Sequence, residues 1–260
     1  MTNDNNDNND NNNRNKKKVR LDELALSLRP ESSRQMIQSW IVQGKVLVDG
    51  QKVTKPGTKL RPGEKEITIT AEELKYVCRA GFKLEKAIDF FKLDVVNKVC
   101  LDSGLSTGGF ADCLLQKGAK KVYGVDVGYG QVHEKIRTDE RVVVMERTNL
   151  RYVEELPDLV DIATLDLSFI SVLKVLPSVA KVSKPKSDLV VLIKPQFEAS
   201  RGQVGSKGVV RDAKVHEEVI RNVIEGARNF GYVYVDHMQS PIKGAKEGNT
   251  EFLAHFIKNI

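Results

Sequence analysis

In the first part of the chain, apolar residues recur at intervals of three and four before they begin to alternate. Two groups have helical spacing: Leu21, Leu24, Ala25 and Leu28 form the first, and Met36, Ile37, Trp40 and Ile41 form the second. Pro30 ends the first helix, and Ser32 or Ser33 can cap the second. Alternation over residues 46–48 then leads into Asp49-Gly50, a strong hairpin signal. The pattern predicts a small module of two helices and a hairpin.

From Cys78 onward, short aliphatic runs are separated by stretches with helical periodicity. The predicted strands are Lys98–Leu101, Lys121–Val125, Val142–Met145, Ile162–Leu165, Leu189–Ile193 and Tyr232–Val235. The predicted helices include Phe110–Lys117, Val172–Lys181 and Asp212–Phe230. Such alternation predicts an α/β fold with a mainly parallel sheet and helices on both faces. Ligands of these sheets bind at the carboxyl ends of the strands.

Composition limits the class of protein. The chain has 260 residues, of which 40% are hydrophobic and 29% charged, so it can bury a core. It has no run of about 20 apolar residues, and we expect no membrane span and no secretory segment. Three widely spaced cysteines favour a reducing compartment, so a cytoplasmic location is expected. The four histidines have no ligand spacing, and we predict no metal site.

Positive charge is concentrated near the start of the chain. Between Arg14 and Arg61 we count twelve basic and four acidic residues, an excess of +8, whereas the whole chain carries +6. A charge excess on a small module is typical of a polyanion binder, although a solvated charged face would have the same composition. The first 13 residues include eight Asn and three Asp, and we predict a disordered tail over residues 1–17.

The basic module resembles a known RNA-binding unit. Val19–Leu24, Ser33-Arg34 with Ile37, and Gly44–Gly50 are similar to the alpha-L RNA-binding motif. The resemblance implies a small α+β domain over residues 18–70, followed by a linker at 71–77. It also implies an RNA contact face along the second helix and the hairpin, with Arg20, Arg34 and Lys45 as candidates. Contacts of this kind bind phosphate and set affinity and register rather than sequence choice.

Charged residues directly follow four of the predicted strands: Asp102, Asp126, Asp166 and Lys194. Any one of them could be an ordinary cap or turn residue, but the predicted fold brings all four to the ligand-binding edge. The turn from Asp102 to Phe110 is rich in glycine, and Asp126 comes 24 residues after Asp102, near the spacing of a ribose-binding acid. The turn is not a P-loop, and because it is not a proper GxGxxG motif either, a dinucleotide-binding enzyme is only a weakened alternative. These features favour S-adenosylmethionine as the cofactor.

Seven further segments, in order along the chain, carry a family resemblance: Tyr76–Leu84, Asp102–Phe110, Val125–Gln131, Glu146–Asn149, Leu165–Ser171, Ile193–Glu198 and Lys207–Asp212. They resemble the TlyA (hemolysin A) family, which consists of FtsJ-like RNA ribose 2′-O-methyltransferases with an N-terminal alpha-L motif. The likeness spans Lys18–Ile260 and implies a Rossmann-like methyltransferase domain over residues 78–260. Cys78, Ser103 and Leu105 depart from the family pattern, and Leu105 is bulkier than the usual Ala beside the expected methionine tail.

The resemblance also implies roles for individual residues. The catalytic set would be Lys83, Asp166, Lys194 and Glu251. The cofactor would be bound by Asp102, Gly104, Ser106, Thr107, Gly108, Gly109, Phe110, Asp126, Val127, Asn149 and Asp166. A lysine can remove a proton only when it is neutral, and at its ordinary pKa of ~10.4 only roughly 0.04% of it is neutral at pH 7. A second cation and partial burial favour the neutral form. We expect Lys194 to be the base, Asp166 to orient it, and Lys83 and Glu251 to position the substrate.

The leading hypothesis is a methyltransferase that acts on structured RNA, with ribosomal RNA or a ribosomal subunit as the expected substrate. Two alternatives stay open. A membrane-active hemolysin would lyse cells as purified protein, and a non-catalytic RNA-binding protein would bind RNA without methylating it. The sequence does not indicate an oligomeric state.

Overall fold

A computed structural model describes residues 17–30, 32–71, 75–244 and 248–259. All of the predicted disordered tail except residue 17 lies outside these ranges. The described residues form two compact units. We call residues 17–71 the N-terminal unit and residues 75–259 the C-terminal unit, and we describe each by itself.

The N-terminal unit contains two helices and five short strands. The helices are α1 (Leu21–Leu28) and α2 (Arg34–Val42), and the strands are β1 (Val19–Arg20), β2 (Val46–Val48), β3 (Gln51–Lys52), β4 (Lys59–Leu60) and β5 (Ile67–Ile69). Strands β3, β2 and β5 form one antiparallel sheet, and β1 pairs with β4.

Local sequence accounts for these elements. The hydroxyl oxygen of Ser33 accepts a hydrogen bond from the Met36 amide at 3.2 Å and caps α2. Asp49 and Gly50 both have positive φ, at 49° and 74°, as a two-residue hairpin turn between β2 and β3 requires. Residues of the two predicted apolar stripes meet in one core, in which Leu21, Ala25, Ile37 and Ile41 are fully buried, whereas Leu28 of the first stripe is exposed. The two helices and the hairpin are therefore present as the pattern predicts.

The C-terminal unit contains seven strands and six helices among its described residues. The strands are β6 (Val99–Ser103), β7 (Lys121–Val125), β8 (Val142–Met145), β9 (Val160–Leu165), β10 (Ser183–Ile193), β11 (Tyr232–Gln239) and β12 (Phe252–Lys258). The helices are α3 (Ala80–Phe91), α4 (Gly109–Gln116), α5 (Glu134–Arg137), α6 (Leu176–Val182), α7 (Pro195–Glu198) and α8 (Ala213–Arg228). Single 3-10 turns lie at Leu150–Tyr152, Val172–Lys174 and Arg201–Gln203.

The seven strands form one sheet in the order β11-β12-β10-β9-β6-β7-β8. Strands β10, β9, β6, β7 and β8 are parallel, and β12 is antiparallel to both β10 and β11. Two clusters of buried apolar residues, containing Leu165 and Leu192 respectively, make up the core of this unit. The predicted mainly parallel α/β sheet is confirmed.

Two features of this unit differ from the sequence prediction. Strand β12 was not predicted, because polar His255 interrupts its apolar run; in the structure His255 is buried and its Nε2 lies 2.8 Å from Oδ1 of Asp188. The predicted helix Val172–Lys181 is a 3-10 turn followed by α6, which has Pro177 in its first turn. Proline lacks the amide that would continue a helix, so it begins a new one.

Candidate functional site

Two parallel strands bring a lysine and an aspartate together. Asp166 directly follows β9 and Lys194 directly follows β10, and these strands are neighbours with Leu165 opposite Val191. Nζ of Lys194 lies 2.6 Å from Oδ1 of Asp166 and donates to Oγ of Ser168 at 3.0 Å. The two side chains are 11% and 16% exposed, so the pair is largely shielded but can still be reached. Two of the four predicted catalytic residues are therefore in direct contact.

The other two predicted catalytic residues form a second ion pair. Lys83 lies in the first turn of α3 and Glu251 immediately precedes β12, and Nζ of Lys83 is 2.6 Å from Oε2 of Glu251. Both side chains are buried. Lys83, Glu251, Asp166 and Lys194 line the same cavity, which has a volume of about 580 Å³ and which we call the first lobe. The unpredicted β12 is thus what positions Glu251.

A second lobe of about 440 Å³ adjoins the first. Five residues line both lobes: Gly104, Ser106, Asp166, Ser168 and Phe169. The second lobe is also lined by Asp126, Val127 and Asn149. We call the two lobes together the cleft, which lies at the carboxyl ends of β6, β7, β9 and β10, where ligands of such sheets bind.

The turn after β6 needs glycine for a steric reason. Gly104 has φ +84°, and a Cβ on it would lie 2.3 Å from the Asp166 carbonyl oxygen. Only glycine lets the backbone of this turn approach the end of β9 so closely. Leu105, which departs from the family pattern, is buried, and its side chain packs where a Cβ on Gly124 would be. Leu105 therefore fills a core position as well as lining the first lobe.

Asp126 has the geometry of a diol-binding carboxylate. Its Oδ2 accepts a hydrogen bond from the Ser106 amide and its Oδ1 accepts one from the Gly128 amide, both at 2.7 Å. These bonds hold the carboxylate rigidly in the wall of the second lobe, where each oxygen can accept a further bond from a hydroxyl. An anchored carboxylate in one lobe and a glycine-lined passage to the other fit the ribose and the sulfonium chain of S-adenosylmethionine.

The structure divides the residues predicted to bind the cofactor into two groups. Those that line the cleft are Gly104, Ser106, Gly109, Phe110, Asp126, Val127, Asn149 and Asp166. Asp102, Thr107 and Gly108 are not among the residues that line either lobe. Thr107 accepts a hydrogen bond from the His133 amide through its carbonyl oxygen, and Gly108 has φ +97° where α4 begins. These two residues shape the turn.

Asp102 lies inside β6 instead of following it. Its Oδ2 accepts a hydrogen bond from the Ala111 amide at 2.8 Å, which joins the start of α4 to the sheet, and Thr164 donates to its Oδ1 at 3.4 Å. Burial, and secondarily the negative charge of Asp166, raises the pKa of Asp102 to about 7. Asp102 therefore contacts α4 and β9 beneath the cleft and does not line the cavity.

Asn249 is a residue that the sequence analysis missed. It is buried, its Oδ1 accepts from the Val210 amide at 3.0 Å, and its Nδ2 donates to the Gly208 carbonyl oxygen at 2.9 Å. Lys207 and Gly208 line the first lobe beside Glu251. Asn249 therefore attaches the Lys207–Asp212 segment, for which the sequence offered no physical reason, to the turn before β12. The sequence contained one signal that this segment packs against the rest of the unit, because Val209-Val210 is an apolar pair in a polar stretch.

Two aromatic side chains at the first lobe were also missed. Phe169 is 91% exposed with φ +65°, and its ring centroid lies 5.1 Å from that of Phe197. An exposed phenylalanine at the mouth of a cavity offers a face on which another flat ring can stack. No pattern of periodicity could have indicated these residues, because each stands alone in a loop or a four-residue helix.

The three predicted RNA-binding residues lie in the N-terminal unit. Arg20 and Arg34 are 42% and 50% exposed, and both contact the fully buried carboxylate of Asp22. Lys45 is exposed and directly precedes β2. The structure therefore brings Arg20 and Arg34 together at one acid.

Residues 17–30, 32–71, 75–244 and 248–259 contain no group of three or more His, Cys, Asp or Glu that could hold a metal ion. Within the same ranges, no helix is both long enough and apolar enough to cross a membrane.

Comparison with known proteins gives concordant matches. The model of the FtsJ-like methyltransferase family matches residues 76–258, and that of the S4 domain matches residues 19–65. The chain is 39% identical over 238 residues to the 16S/23S rRNA (cytidine-2'-O)-methyltransferase TlyA of Mycobacterium tuberculosis, covering 91% of this chain and 88% of that protein. It is 44% identical over 245 residues to Hemolysin A of Brachyspira hyodysenteriae, covering 92% and 100%. A solved structure from Streptococcus thermophilus, provisionally named a hemolysin, has a TM-score of 0.72 and 42% identity, covering 94% of this chain and 89% of that one.

Proposed function

The chain belongs to the FtsJ-like methyltransferase family and, within it, to the TlyA (hemolysin A) proteins, and we propose that it methylates the 2′-hydroxyl of a cytidine in ribosomal RNA. The observation that carries the proposal is the contact between Lys194 and Asp166 in the first lobe, beside a second lobe that fits the cofactor. The S4 domain and the name of the Mycobacterium tuberculosis relative support an RNA substrate.

S-adenosylmethionine, when bound, supplies an electrophilic methyl group, and the protein must hold and deprotonate the hydroxyl that attacks it. Asp126 and Asn149 in the second lobe would hold the adenosine, and Gly104 and Ser106 line the passage to the first lobe. Asp166 lines both lobes, so it would face the cofactor and the target ribose together.

Lys194 is the proposed general base. As a neutral amine its Nζ accepts the proton of the ribose hydroxyl, and the ammonium that forms lies 2.6 Å from the Asp166 carboxylate, which stabilises the new charge. The hydrogen bond between Lys194 and Ser168 fixes the direction of the amine. A base that is held in one direction loses little entropy when the hydroxyl arrives.

Lys83 and Glu251 are the proposed positioning pair. The Lys83 ammonium can donate to an oxygen of the target ribose, while Glu251 holds that ammonium in place and can accept from a neighbouring hydroxyl. Because a 2′-hydroxyl is required, the substrate is RNA rather than DNA. We further propose that residues 18–70 form the RNA-docking domain, residues 71–77 the linker and residues 78–260 the catalytic domain.

The test is methyl transfer with a defined product. Purified protein is incubated with tritium-labelled S-adenosylmethionine and with separated small and large ribosomal subunits, and the RNA is digested to nucleosides. We expect label in 2′-O-methylcytidine from at least one subunit and none with Lys194→Ala. Binding of S-adenosylmethionine to Lys194→Ala, measured by calorimetry, should persist. Label on a base, or transfer that survives in Lys194→Ala, would contradict the proposed mechanism.

A further inference from the structure

A buried acid lies among exposed cations in the N-terminal unit. Asp22 is the second residue of α1, and its side chain is 0% exposed. Arg20 donates to both of its oxygens, from Nε at 2.8 Å and from Nη2 at 2.9 Å. Arg34 reaches Oδ2 through Nε at 3.4 Å and Nη2 at 3.3 Å, and Gln38 donates to Oδ2 at 2.7 Å. One carboxylate therefore joins residues from β1, α1 and α2.

This acid is ionised at neutral pH. The hydrogen bonds from Arg20, helped by Gln38 and by the charges of both arginines, hold the pKa of Asp22 well below its usual range. The contacts use the Nε and Nη2 groups of each guanidinium, so the Nη1 edge of each is not engaged by Asp22. Arg20 and Arg34 remain 42% and 50% exposed while they are held in one direction.

We propose that Asp22 is a positioning residue that holds Arg20 and Arg34 as a preformed pair for RNA phosphates. The inference rests on the proposed function, in which the N-terminal unit docks RNA. A free arginine must give up several rotatable bonds when it binds, and a guanidinium already fixed by a buried acceptor gives up fewer. Arginine binds phosphate as a rigid planar fork, so its direction matters as much as its charge.

A positioning role and the net charge predict opposite changes in RNA affinity when the carboxylate of Asp22 is removed. Asp22→Asn adds one positive charge to the RNA-binding surface, and counting charges alone predicts tighter binding. Loss of positioning predicts weaker binding. We expect Asp22→Asn in the full chain to weaken binding about tenfold at 0.1 M salt, because two flexible side chains are released.

Glu23→Gln is the matched control. Glu23 is the next residue and is exposed, and it contacts Arg34 at 3.1 Å without contacting Arg20. Each of the two substitutions replaces a carboxylate by an amide, so both change the net charge by the same amount. We expect Glu23→Gln to leave binding unchanged or to tighten it by up to about threefold. The probes are fluorescently labelled 16S and 23S rRNA transcripts, each titrated separately by anisotropy from 0.05 to 0.2 M salt.

A combined variant separates positioning from a structural role. In the Arg20→Ala/Arg34→Ala background, a positioning residue has nothing to position, so Asp22→Asn should have no further effect on affinity. An equal weakening in that background would make Asp22 merely structural and overturn the inference. Unchanged or tighter binding by Asp22→Asn in the otherwise normal chain would overturn it as well. If Arg20→Ala/Arg34→Ala itself binds normally, the RNA face of the proposed function fails too, whereas methyl transfer by Lys194 is tested separately.

A second variant covers the case in which Asp22→Asn does not fold. Gln38→Met removes the donor that lies 2.7 Å from Oδ2 and leaves every charge in place. We expect about threefold weaker binding from the looser carboxylate, with an unchanged salt slope. Normal affinity in Gln38→Met, with no folded Asp22→Asn protein to compare, would count against the inference. Thermal unfolding of each variant establishes which of them are folded.

Discussion

The two units pair cations with carboxylates in different ways. In the N-terminal unit a fully buried acid, Asp22, holds two arginines that are about half exposed. In the cleft of the C-terminal unit, two lysines are shielded together with their acids: Lys194 with Asp166 at 11% and 16% exposure, and Lys83 with Glu251. Arginine keeps its charge permanently and suits the binding of phosphate, whereas lysine is the one of the two residue types that can also serve as a base.

The buried aspartates of the two units also differ. Asp22 accepts from two guanidiniums and an amide, and these donors lower its pKa. Asp102 accepts from one backbone amide and one hydroxyl, and burial together with the charge of Asp166 raises its pKa to about 7. Burial raises the pKa of both acids, and only at Asp22 do charged donors outweigh it, so burial alone does not decide the charge of an acid.

The largest expected effect is on Lys194. Arginine keeps the charge and the contact with Asp166 but cannot be deprotonated near neutral pH, so Lys194→Arg should lower the rate of methyl transfer by about 10³-fold. Initial rates at saturating S-adenosylmethionine and RNA measure this.

Lys184→Arg is the matched control for that substitution. Lys184 lies near the other end of β10, where its Nζ is 2.7 Å from Oδ1 of Asp161. The same change there should leave the rate within about twofold, because an exposed ion pair is worth ~1 kcal/mol or less. Equal losses in both variants would show that the substitution acts through stability at either site, and not through the chemistry of Lys194.

The next effect concerns stability and pH. The pKa of Asp102 is raised from 3.8 in the unfolded chain to about 7, so between these values the folded state binds more protons and stability falls as pH rises. The fall is at most about 4 kcal/mol. Asp102→Asn cannot titrate, so its free energy of unfolding should increase relative to wild type from pH 4 to pH 8.

Asp22→Asn provides the opposite case. The pKa of Asp22 is lowered, so its contribution to stability is complete above pH 4 and is lost only at more acidic pH. The stability difference between wild type and Asp22→Asn should therefore stay constant from pH 4.5 to pH 8. Urea unfolding at several pH values measures both variants. Parallel slopes for the two aspartates would contradict the comparison.

A smaller effect is expected at Glu251. Glu251→Gln leaves the Lys83 ammonium without its carboxylate in a buried site, and we expect a loss of about 30-fold in kcat/KM. Lys83→Gln/Glu251→Gln should lose less than the sum of the losses of the two single variants, because the two side chains act as one pair. Strictly additive losses in this double-mutant cycle would mean that the residues act independently.

The smallest effect is expected at Arg34. Arg34→Lys keeps the positive charge but loses the planar fork, so RNA affinity should fall only about threefold and the salt slope should not change. Anisotropy titrations over a range of salt concentrations test this. A loss as large as that of Arg34→Ala would show that the fork, and not the charge, accounts for most of the binding.

Much of the framework could be predicted because it depends on local pattern. Apolar residues at helical spacing predicted α1 and α2, and the aliphatic runs predicted the strands that end beside Asp126, Asp166 and Lys194. Strand β12 could not be predicted this way, because His255 reads as polar until its partner Asp188 is known. Asp102 was predicted to follow its strand directly, but β6 includes it. Because of this difference of one residue, its side chain is buried in the core and does not line the cavity.

The sequence by itself determined the two-part organisation, the alternating α/β pattern, the basic excess near the start and the residue types needed for the chemistry. The tertiary structure decided which of these residues meet. Lys83 and Glu251 are 168 positions apart, and Asn249 lies 39 residues from the amide it binds. Asp22 and Asp102 are the same residue type with opposite pKa shifts. Periodicity reports which face of an element is buried, but the charge and direction of a buried polar group depend on donors that distant segments bring to it.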